Sequence, residues 1–261
     1  MIDRFIMDIR KYFAYARYSA WSDLKAEVAS SYLNWLWWIL DPLMFMLVYT
    51  FIAGVVFKSR VDYFPLFVFI GLTIWDFFSK NVQGSVKMMR LNVGIISKVY
   101  IPKYILLLQR VMVNAFKMMI CWGLIVIMMI IYRVPVTFNI LYLIPVLIEI
   151  TLLSFGIGCL VMHFGVFVDD LYNVVQIVLR LMFYMSGIFY SIEDKVEDPL
   201  RTIMISVNPA SMLINSARLC VLYSSAPYRK LMLIWGVVSV FVCWLGVHVV
   251  YKYENSYVKV M

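Results

Sequence analysis

The chain alternates between long apolar blocks and short polar segments. Six apolar blocks lie at 33–57, 64–84, 104–132, 140–166, 171–189 and 228–250. A helix needs roughly 20 residues to cross about 30 Å of hydrocarbon, and each block is near or above that length. Strands of a membrane barrel would instead alternate apolar and polar positions over about ten residues. The pattern therefore predicts an all-α integral membrane protein with about six transmembrane helices, forming a single domain over 1–261.

Two segments outside these blocks are also patterned. In residues 1–30, apolar side chains recur at helical spacing, which is typical of an amphipathic helix lying on a membrane surface. They are Ile2, Phe5, Ile6, Ile9, Phe13 and Ala16. Between the last two spans, 191–227 is too apolar at 200–207 and 212–222 for a free loop. We expect it to form re-entrant helices, because irregular backbone at membrane depth must be buried in protein or line a wet cavity.

Basic residues predict the orientation. They concentrate in the N-terminal segment and in the loop after the second span: Arg4, Arg10, Lys11, Arg17, Lys25, Lys80, Lys87, Arg90, Lys98 and Lys103. An excess of Lys and Arg marks the cytoplasmic side. Both termini are therefore expected in the cytoplasm, with 33–189 forming spans one to five, 191–227 outside and 228–250 forming span six.

Composition narrows the chemistry. The chain is 64% hydrophobic and 15% charged, with a net charge of +8. Topology and anionic lipid explain the basic residues, so no nucleic-acid partner is expected. The chain has no Walker A loop, HExxH or GxSxG motif, no CxxC pair, and only two isolated histidines, His163 and His248. We expect no catalytic residue, metal ligand or bound cofactor on this chain, so any energy source lies on a partner.

Six charged residues lie at least six residues from the ends of the predicted spans: Asp41, Asp76, Arg110, Lys117, Glu149 and Arg180. Arg110 and Lys117 lie near the inner end of a long span, where their side chains reach the membrane face. Glu149 and Arg180 come to similar depths, which allows an intramembrane ion pair. Arg180 also shares a helix face with Tyr172, Gln176 and Tyr184 at steps of four. That face lines a polar path or joins helices; the sequence leaves both open.

Aromatic residues form two groups. One runs along span one at helical spacing, with Trp38 and Tyr49, and the other ends span five, with Phe183, Tyr184, Phe189 and Tyr190. Aromatic rings favour the membrane interface, which explains part of this distribution. A path on which sugar rings stack is the alternative.

Several short motifs follow one another along nearly the whole chain. They are Trp35-Leu36-Trp37-Trp38, Pro42-Leu43, Val48-Tyr49-Thr50-Phe51, Gly71-Leu72, Trp75-Asp76-Phe77-Phe78-Ser79, the loop 92–102, Asp170-Leu171, Ser186-Gly187-Ile188-Phe189-Tyr190, Asn208-Pro209 and Arg218. In this order they resemble the transmembrane subunit of ABC-2 type exporters, in the branch that exports O-antigen, capsular polysaccharide and teichoic acid. Asp76, Asp169 and Gly187 stand where that family commonly has Asn, Arg and Pro.

The resemblance implies a permease in the bacterial cytoplasmic membrane that works as a homodimer, surrounded by membrane lipids. A separate ABC ATPase subunit would bind ATP and Mg and act on the loop through Asn92, Lys98, Val99, Tyr100 and Pro102. The cargo implied is a lipid-linked glycan, and the path assigned to its sugars comprises Trp38, Tyr49, Arg180, Phe183, Tyr184, Phe189 and Tyr190. The alternative is an ABC-2 exporter of a small drug or lipid. An intramembrane enzyme would need a cluster of catalytic side chains, which this sequence lacks, and a passive channel would need no ATPase.

Overall fold

A computed structural model describes residues 2–29, 34–55 and 61–260. Its helices are α1 Ile2–Ala29, α2 Asn34–Val55, α3 Phe64–Val86, α4 Met88–Leu91, α5 Val93–Ile96, α6 Lys103–Tyr132, α7 Leu143–Phe167, α8 Leu171–Met185, α9 Ile192–Lys195, α10 Leu200–Val207, α11 Pro209–Val221 and α12 Arg229–Val260, with a 3-10 turn at Phe138–Tyr142. These three ranges contain no β-strand. The predicted all-α membrane fold is confirmed.

Six long helices, α2, α3, α6, α7, α8 and α12, coincide with the six predicted blocks. By length and hydropathy, four segments can cross a membrane: Trp35–Ile52, Lys103–Tyr132, Phe138–Phe167 and Arg229–Glu254. The apolar helix α8 has 15 residues and a length of about 22 Å, below the roughly 30 Å of a hydrocarbon core. Residue 33, residues 56–57 and the side chain of Ile2, all in predicted segments, lie outside the described part.

The six long helices alternate in direction between two ends of the bundle. Arg4 near the start of the chain pairs with Glu254 near its end, with 2.9 Å between Nη2 and Oε1. We call this side the terminal end. Arg218 of α11 contacts the backbone of Phe67 at the start of α3. This contact places α9, α10 and α11, which we call the hairpin, at the opposite side. We call that side the hairpin end.

Helix α3 is the centre of the bundle. It packs against α2, α6, α7, α8 and α11, and most of its side chains are buried. Two of its buried polar side chains form hydrogen bonds within the protein. Thr73 Oγ1 donates to the Phe69 carbonyl at 2.8 Å, and Asn81 Oδ1 accepts from Asn114 Nδ2 of α6 at 2.6 Å, while Asn81 Nδ2 has no partner among the described residues. Hydrogen-bonded polar groups can be buried, which lets α3 carry polar residues in the core.

Helices α7 and α12 form the most extensive helix pair. At their crossing, a Cβ added to Gly156 would lie 2.6 Å from the Cys243 nitrogen, and one added to Gly246 would lie 2.6 Å from the Gly156 carbonyl oxygen. Small residues let two membrane helices approach this closely. The glycines therefore fix where α7 and α12 cross.

Some apolar residues of the N-terminal helix α1 are buried against protein, and others are exposed. Ala16, Ala20 and Leu24 are buried on the side that packs along α6. Ile6 and Phe13, which the sequence placed on the same face as Ala16, are exposed. The predicted helix is present, but it packs on protein along one side. Helical spacing alone cannot separate a protein-facing stripe from a lipid-facing one that adjoins it.

Candidate functional site

Of the long helices that pack against α3, α8 is the least buried. Leu179 is its one buried residue among those described, and Phe183 also faces α3, where its ring contacts Trp75. On another side, Gln176, Arg180 and Tyr184 are exposed at steps of four. A rotation of about 100° per residue groups them within roughly a quarter of the helix circumference.

Asn173 joins this group by the same geometry and is also exposed. We refer to Asn173, Gln176, Arg180 and Tyr184 as the polar face of α8. The remaining exposed side has apolar residues such as Val178 and Leu181. Amide and guanidinium groups are costly in hydrocarbon and usually face protein or a wet cavity. The two exposed sides of α8 therefore suit different surroundings.

An aromatic cluster lies at the hairpin end, where α8 ends. Its members are Tyr49, Trp75, Phe183, Tyr184, Phe189 and Tyr190. Tyr49 of α2 stacks on Phe189, with 3.5 Å between ring centroids, and Phe183 lies 5.2 Å from Phe189. The Tyr190 hydroxyl donates to the Tyr184 carbonyl at 3.0 Å. Five predicted path residues thus meet, joined by Trp75, which the sequence had not assigned to the path.

Arg218 fastens the hairpin to this cluster. Its side chain is 1% exposed and donates to the carbonyls of Phe67, Gly187 and Ile188 at 3.0, 2.9 and 2.9 Å. The guanidinium also lies 3.4 Å above the Phe67 ring. The bonds to Gly187 and Ile188 satisfy carbonyls left open after α8, where Gly187 has a φ of 64° that favours glycine. Arg218 therefore holds α3, α11 and the end of α8 together.

Trp38 lies apart from the aromatic cluster. It precedes Tyr49 by 11 residues on α2, about 16 Å along the helix. Its indole nitrogen donates to Glu27 of α1 at 3.0 Å, and Lys117 of α6 pairs with the same carboxylate at 2.6 Å. A cavity of about 310 Å³ adjoins these residues and is also lined by Asp41, Asp76 and Lys80. The predicted path residues therefore form two separate groups.

The predicted ion pair between Glu149 and Arg180 is absent from the described residues. Glu149 is 6% exposed, and its Oε1 has no hydrogen-bond partner there. It lies beside α12 in a cavity that Arg229 also lines. Arg180 is exposed on α8. Depth in the membrane, which the sequence indicates, does not specify the direction in which a side chain points.

The loop predicted to contact an ATPase forms α4 and α5 at the terminal end. Asn92 donates to the Met88 carbonyl at 2.8 Å, and Pro102 is buried at the N-terminus of α6. These two residues shape the segment. Lys98, Val99 and Tyr100 are exposed. The five predicted contact residues thus divide into two structural and three accessible ones.

Two further apolar residues of this segment are exposed and were missed by the sequence analysis. Leu91 and Ile95 are 75% and 42% exposed, and Val99 continues the row at 56%. They recur at steps of four. The Val99 N–H donates to the Ile95 carbonyl, and this helical turn aligns the last two residues. We call Leu91, Ile95 and Val99 the apolar ridge. Its spacing was visible in the sequence, but its exposure was not.

Polar contacts tie this segment to both ends of the chain. Arg4 donates to the Tyr100 hydroxyl at 2.9 Å, and Tyr100 donates in turn to Glu254 at 3.2 Å. The hydrogen bond to the Glu254 carboxylate raises the pKa of the Arg4 guanidinium. Nearby, Tyr251 donates to Asp8 at 2.6 Å. A force applied to the segment would thus reach α1 and α12 directly.

No side-chain cluster of three or more His, Cys, Asp or Glu residues suited to a metal occurs in ranges 2–29, 34–55 and 61–260. The four cysteines are free thiols. His163 shares a hydrogen bond of 2.9 Å with the Tyr257 hydroxyl and packs among aromatic rings. Its contacts are those of a structural histidine in the pairing of α7 with α12.

Comparison with known proteins gives related permeases. No protein-family profile matches the chain. The chain is 26% identical over 223 residues to the O-antigen export system permease protein RfbA of Myxococcus xanthus, with 85% of each chain covered. It is 27% and 28% identical over 197 residues to two proteins of the same name from Klebsiella pneumoniae, with 75% of each chain covered. These similarities support the predicted resemblance: over most of its length the chain is similar to O-antigen export permeases, and its apolar helices support a multi-pass membrane protein.

Proposed function

We propose that this permease moves a lipid-linked polysaccharide across the bacterial cytoplasmic membrane, driven by a separate ABC ATPase. The polar face of α8 is the observation on which the proposal mainly rests. It lies next to an apolar side that suits lipid, so the same helix is suited to a boundary between lipid and an aqueous path. Hydroxyl, amide and guanidinium groups of that face can hydrogen-bond sugar hydroxyls as they pass.

The aromatic cluster supports the same path at the hairpin end. Tyr184 belongs both to the polar face and to the cluster and is 60% exposed, so its ring is available to a passing sugar. Trp38 lies in the other half of the membrane, next to Glu27 and Lys117. We propose that it contacts the cargo earlier, before the cargo reaches Tyr184.

We infer that two copies of the chain enclose the path. In the described part of a single chain, the polar face of α8 is not covered by another helix, and only one side of a path is present. A second copy related by a two-fold axis, the commonest symmetry of homo-oligomers, would bring a second α8 opposite the first. The lipid part of the cargo would then remain in the bilayer beside Val178 and Leu181.

The apolar ridge is the proposed contact for the ATPase. Exposed apolar residues at helical spacing are typical of a helix that docks into a groove on a partner, and Lys98 beside them adds charge. Because Arg4, Tyr100 and Glu254 link this segment to α1 and α12, movement of the ATPase would be transmitted to the bundle. The terminal end would accordingly face the cytoplasm, in agreement with its basic residues.

An export assay tests the path. Cells that depend on the permease receive either Gln176→Leu with Arg180→Leu, or the control pair Val178→Ala with Leu181→Ala. Surface glycan and glycan retained on its lipid inside the cell are measured at equal permease abundance. We expect the polar-face pair to lower export roughly tenfold or more, equivalent to about 1.4 kcal/mol on the transport barrier, and the control pair to export normally. Equal export by both pairs would remove α8 from the path.

A binding assay tests the ridge. Leu91→Asp places a charge on the apolar ridge, whereas Ser97→Asp places the same charge on an exposed residue away from it. Co-purification of the ATPase with the full-length permease is measured for both. We expect the ATPase to be lost with Leu91→Asp and retained with Ser97→Asp. Retention by both variants would place the ATPase contact elsewhere.

A further inference from the structure

A groove separates α7 and α12 at the hairpin end. From their crossing at Gly156 and Gly246 the two helices diverge, and a Cβ added to Gly236 would meet nothing within 4 Å. The groove has a volume of about 720 Å³, and its walls include Ile148, Leu152, Val237 and Val240. It shares no residue with the aromatic cluster or the polar face of α8.

The length of the groove matches one leaflet. Its lining on α12 extends from Arg229 to Val240, 11 residues that span about 16 Å at roughly 1.5 Å per residue. Half of a hydrocarbon core of about 30 Å is close to 15 Å. Chain-like apolar ligands of that length in a bilayer are the acyl chains of lipids.

A cation lies at the mouth of the groove. Arg229 begins α12 at the hairpin end, and its guanidinium lies 5.0 Å from the centre of the Tyr142 ring. Arg229 takes part in none of the ion pairs found in the part of the chain that the structure describes. Lys230 follows it and is also exposed. A guanidinium is well suited to bind a phosphate in a bidentate manner.

A carboxyl group lies on the wall of the groove. Glu149 is 94% buried, being 6% exposed, and its Oε1 has no hydrogen-bond partner among the described residues. Ionised carboxylates are costly in apolar surroundings, so the neutral form is favoured, and it has an O–H to donate. Side chains tilt toward the N-terminus of their helix, which for α7 is the hairpin end. Glu149 therefore points toward the level just below Arg229.

We propose that this groove binds one anionic glycerophospholipid of the adjoining leaflet. Arg229 holds the phosphate, Glu149 donates to an ester carbonyl, and one acyl chain lies along Leu152, Gly236 and Val240. From the membrane surface inward, the cation, the hydrogen-bond donor and the apolar groove follow the order of the phosphate, the ester and the acyl chain of a glycerophospholipid. A second copy of the chain could fill the groove instead only with an apolar helix that places an anion against Arg229.

Native mass spectrometry of the full-length permease tests the proposal. The protein is purified in detergent, stripped of lipid and titrated with phosphatidylglycerol. Gly236→Leu fills the groove, and Gly123→Leu is the matched control, because Gly123 also has nothing within 4 Å of an added Cβ but lies on α6. We expect one lipid per chain for wild type and Gly123→Leu, and binding weakened roughly tenfold or more by Gly236→Leu, as expected when about two methylenes lose their contacts.

The polar contacts have separate tests. Glu149→Gln keeps a donor and is expected to bind as wild type, whereas Glu149→Leu removes it and should bind more weakly. Arg229→Gln should weaken phosphatidylglycerol but leave diacylglycerol, which has no phosphate, unaffected. If Gly236→Leu fails to give a monodisperse folded protein, the comparison of Glu149→Gln with Glu149→Leu decides.

Two results would overturn the proposal. Unchanged lipid binding by Gly236→Leu, or equal binding by both Glu149 variants, would show that the lipid lies elsewhere. Conversion of a dimer to monomers by Gly236→Leu, with the lipid count unchanged, would show that the groove is an interface between two copies of the chain.

Discussion

Helices α3 and α8 pack against each other and both contain polar residues, but the two sets of polar residues differ in burial. On α3, Thr73 and Asn81 are buried and bonded within the chain. On α8, Gln176 and Arg180 are exposed, and only Leu179 is buried among the described residues. Polar residues on α3 fix the packing of the bundle, whereas those on α8 are available to another molecule. Mutations on the two helices should therefore differ in kind.

The largest effect is expected at Arg218, which fastens both helices to the hairpin. Arg218→Ala would leave the buried Gly187 and Ile188 carbonyls without their donor, each costing about 1–3 kcal/mol, so we expect the free energy of unfolding to fall by about 2 kcal/mol or more. Thermal unfolding of the purified permease and its abundance in membranes measure this loss.

Arg201→Ala is the matched control in the same hairpin. Arg201 is partly exposed and pairs with the exposed Asp198, so its loss should change stability by less than about 1 kcal/mol. Similar melting temperatures for the two variants would mean that Arg218 does not hold the hairpin.

The next largest effect is expected where α7 meets the end of α3. A Cβ at Gly165 would clash with the Val86 carbonyl oxygen, a backbone atom that cannot rotate away. Gly165→Ala should therefore destabilise the bundle by about 1–3 kcal/mol through overpacking. Gly123→Ala, with open space around its Cβ, should leave the melting temperature within a few degrees of wild type. A Gly165→Ala protein as stable as wild type would place α7 farther from α3.

The smallest effect on stability, but a large one on transport, is expected at Tyr184. Because its ring is 60% exposed, Tyr184→Ala should change the free energy of unfolding by under about 0.5 kcal/mol while lowering export. Tyr184→Phe keeps the stacking surface and should retain most export. An equal loss in both variants would assign the role to the hydroxyl and not to the ring.

The distinction between α3 and α8 was only partly predictable from sequence. Block lengths predicted all six long helices, and four-residue spacing predicted the face shared by Gln176, Arg180 and Tyr184. Spacing places residues on one side of a helix but does not say what that side meets. For that reason the sequence paired Glu149 with Arg180, although Glu149 faces α12.

Contacts between distant segments also could not be predicted from the sequence. Trp38 and Tyr49 lie on one helix, and helical spacing suggested one path, but Glu27 and Lys117 hold Trp38 near the terminal end. Leu91 and Ile95 are apolar, and only their exposure marks them as a surface for a partner. Arg218 was noted within a family motif, while its role depends on carbonyls 30 to 151 residues away in the chain.

Water access along α8 tests the central claim most directly. In a permease whose four native cysteines are replaced, single cysteines are placed by Gln176→Cys, Arg180→Cys, Val178→Cys and Leu181→Cys. Each protein is exposed in membranes to a charged thiol reagent, with the ATPase and ATP present. We expect rapid labelling at 176 and 180 and little at 178 and 181. Equal reactivity at all four positions, or none at 176 and 180, would contradict a water-filled path along this face.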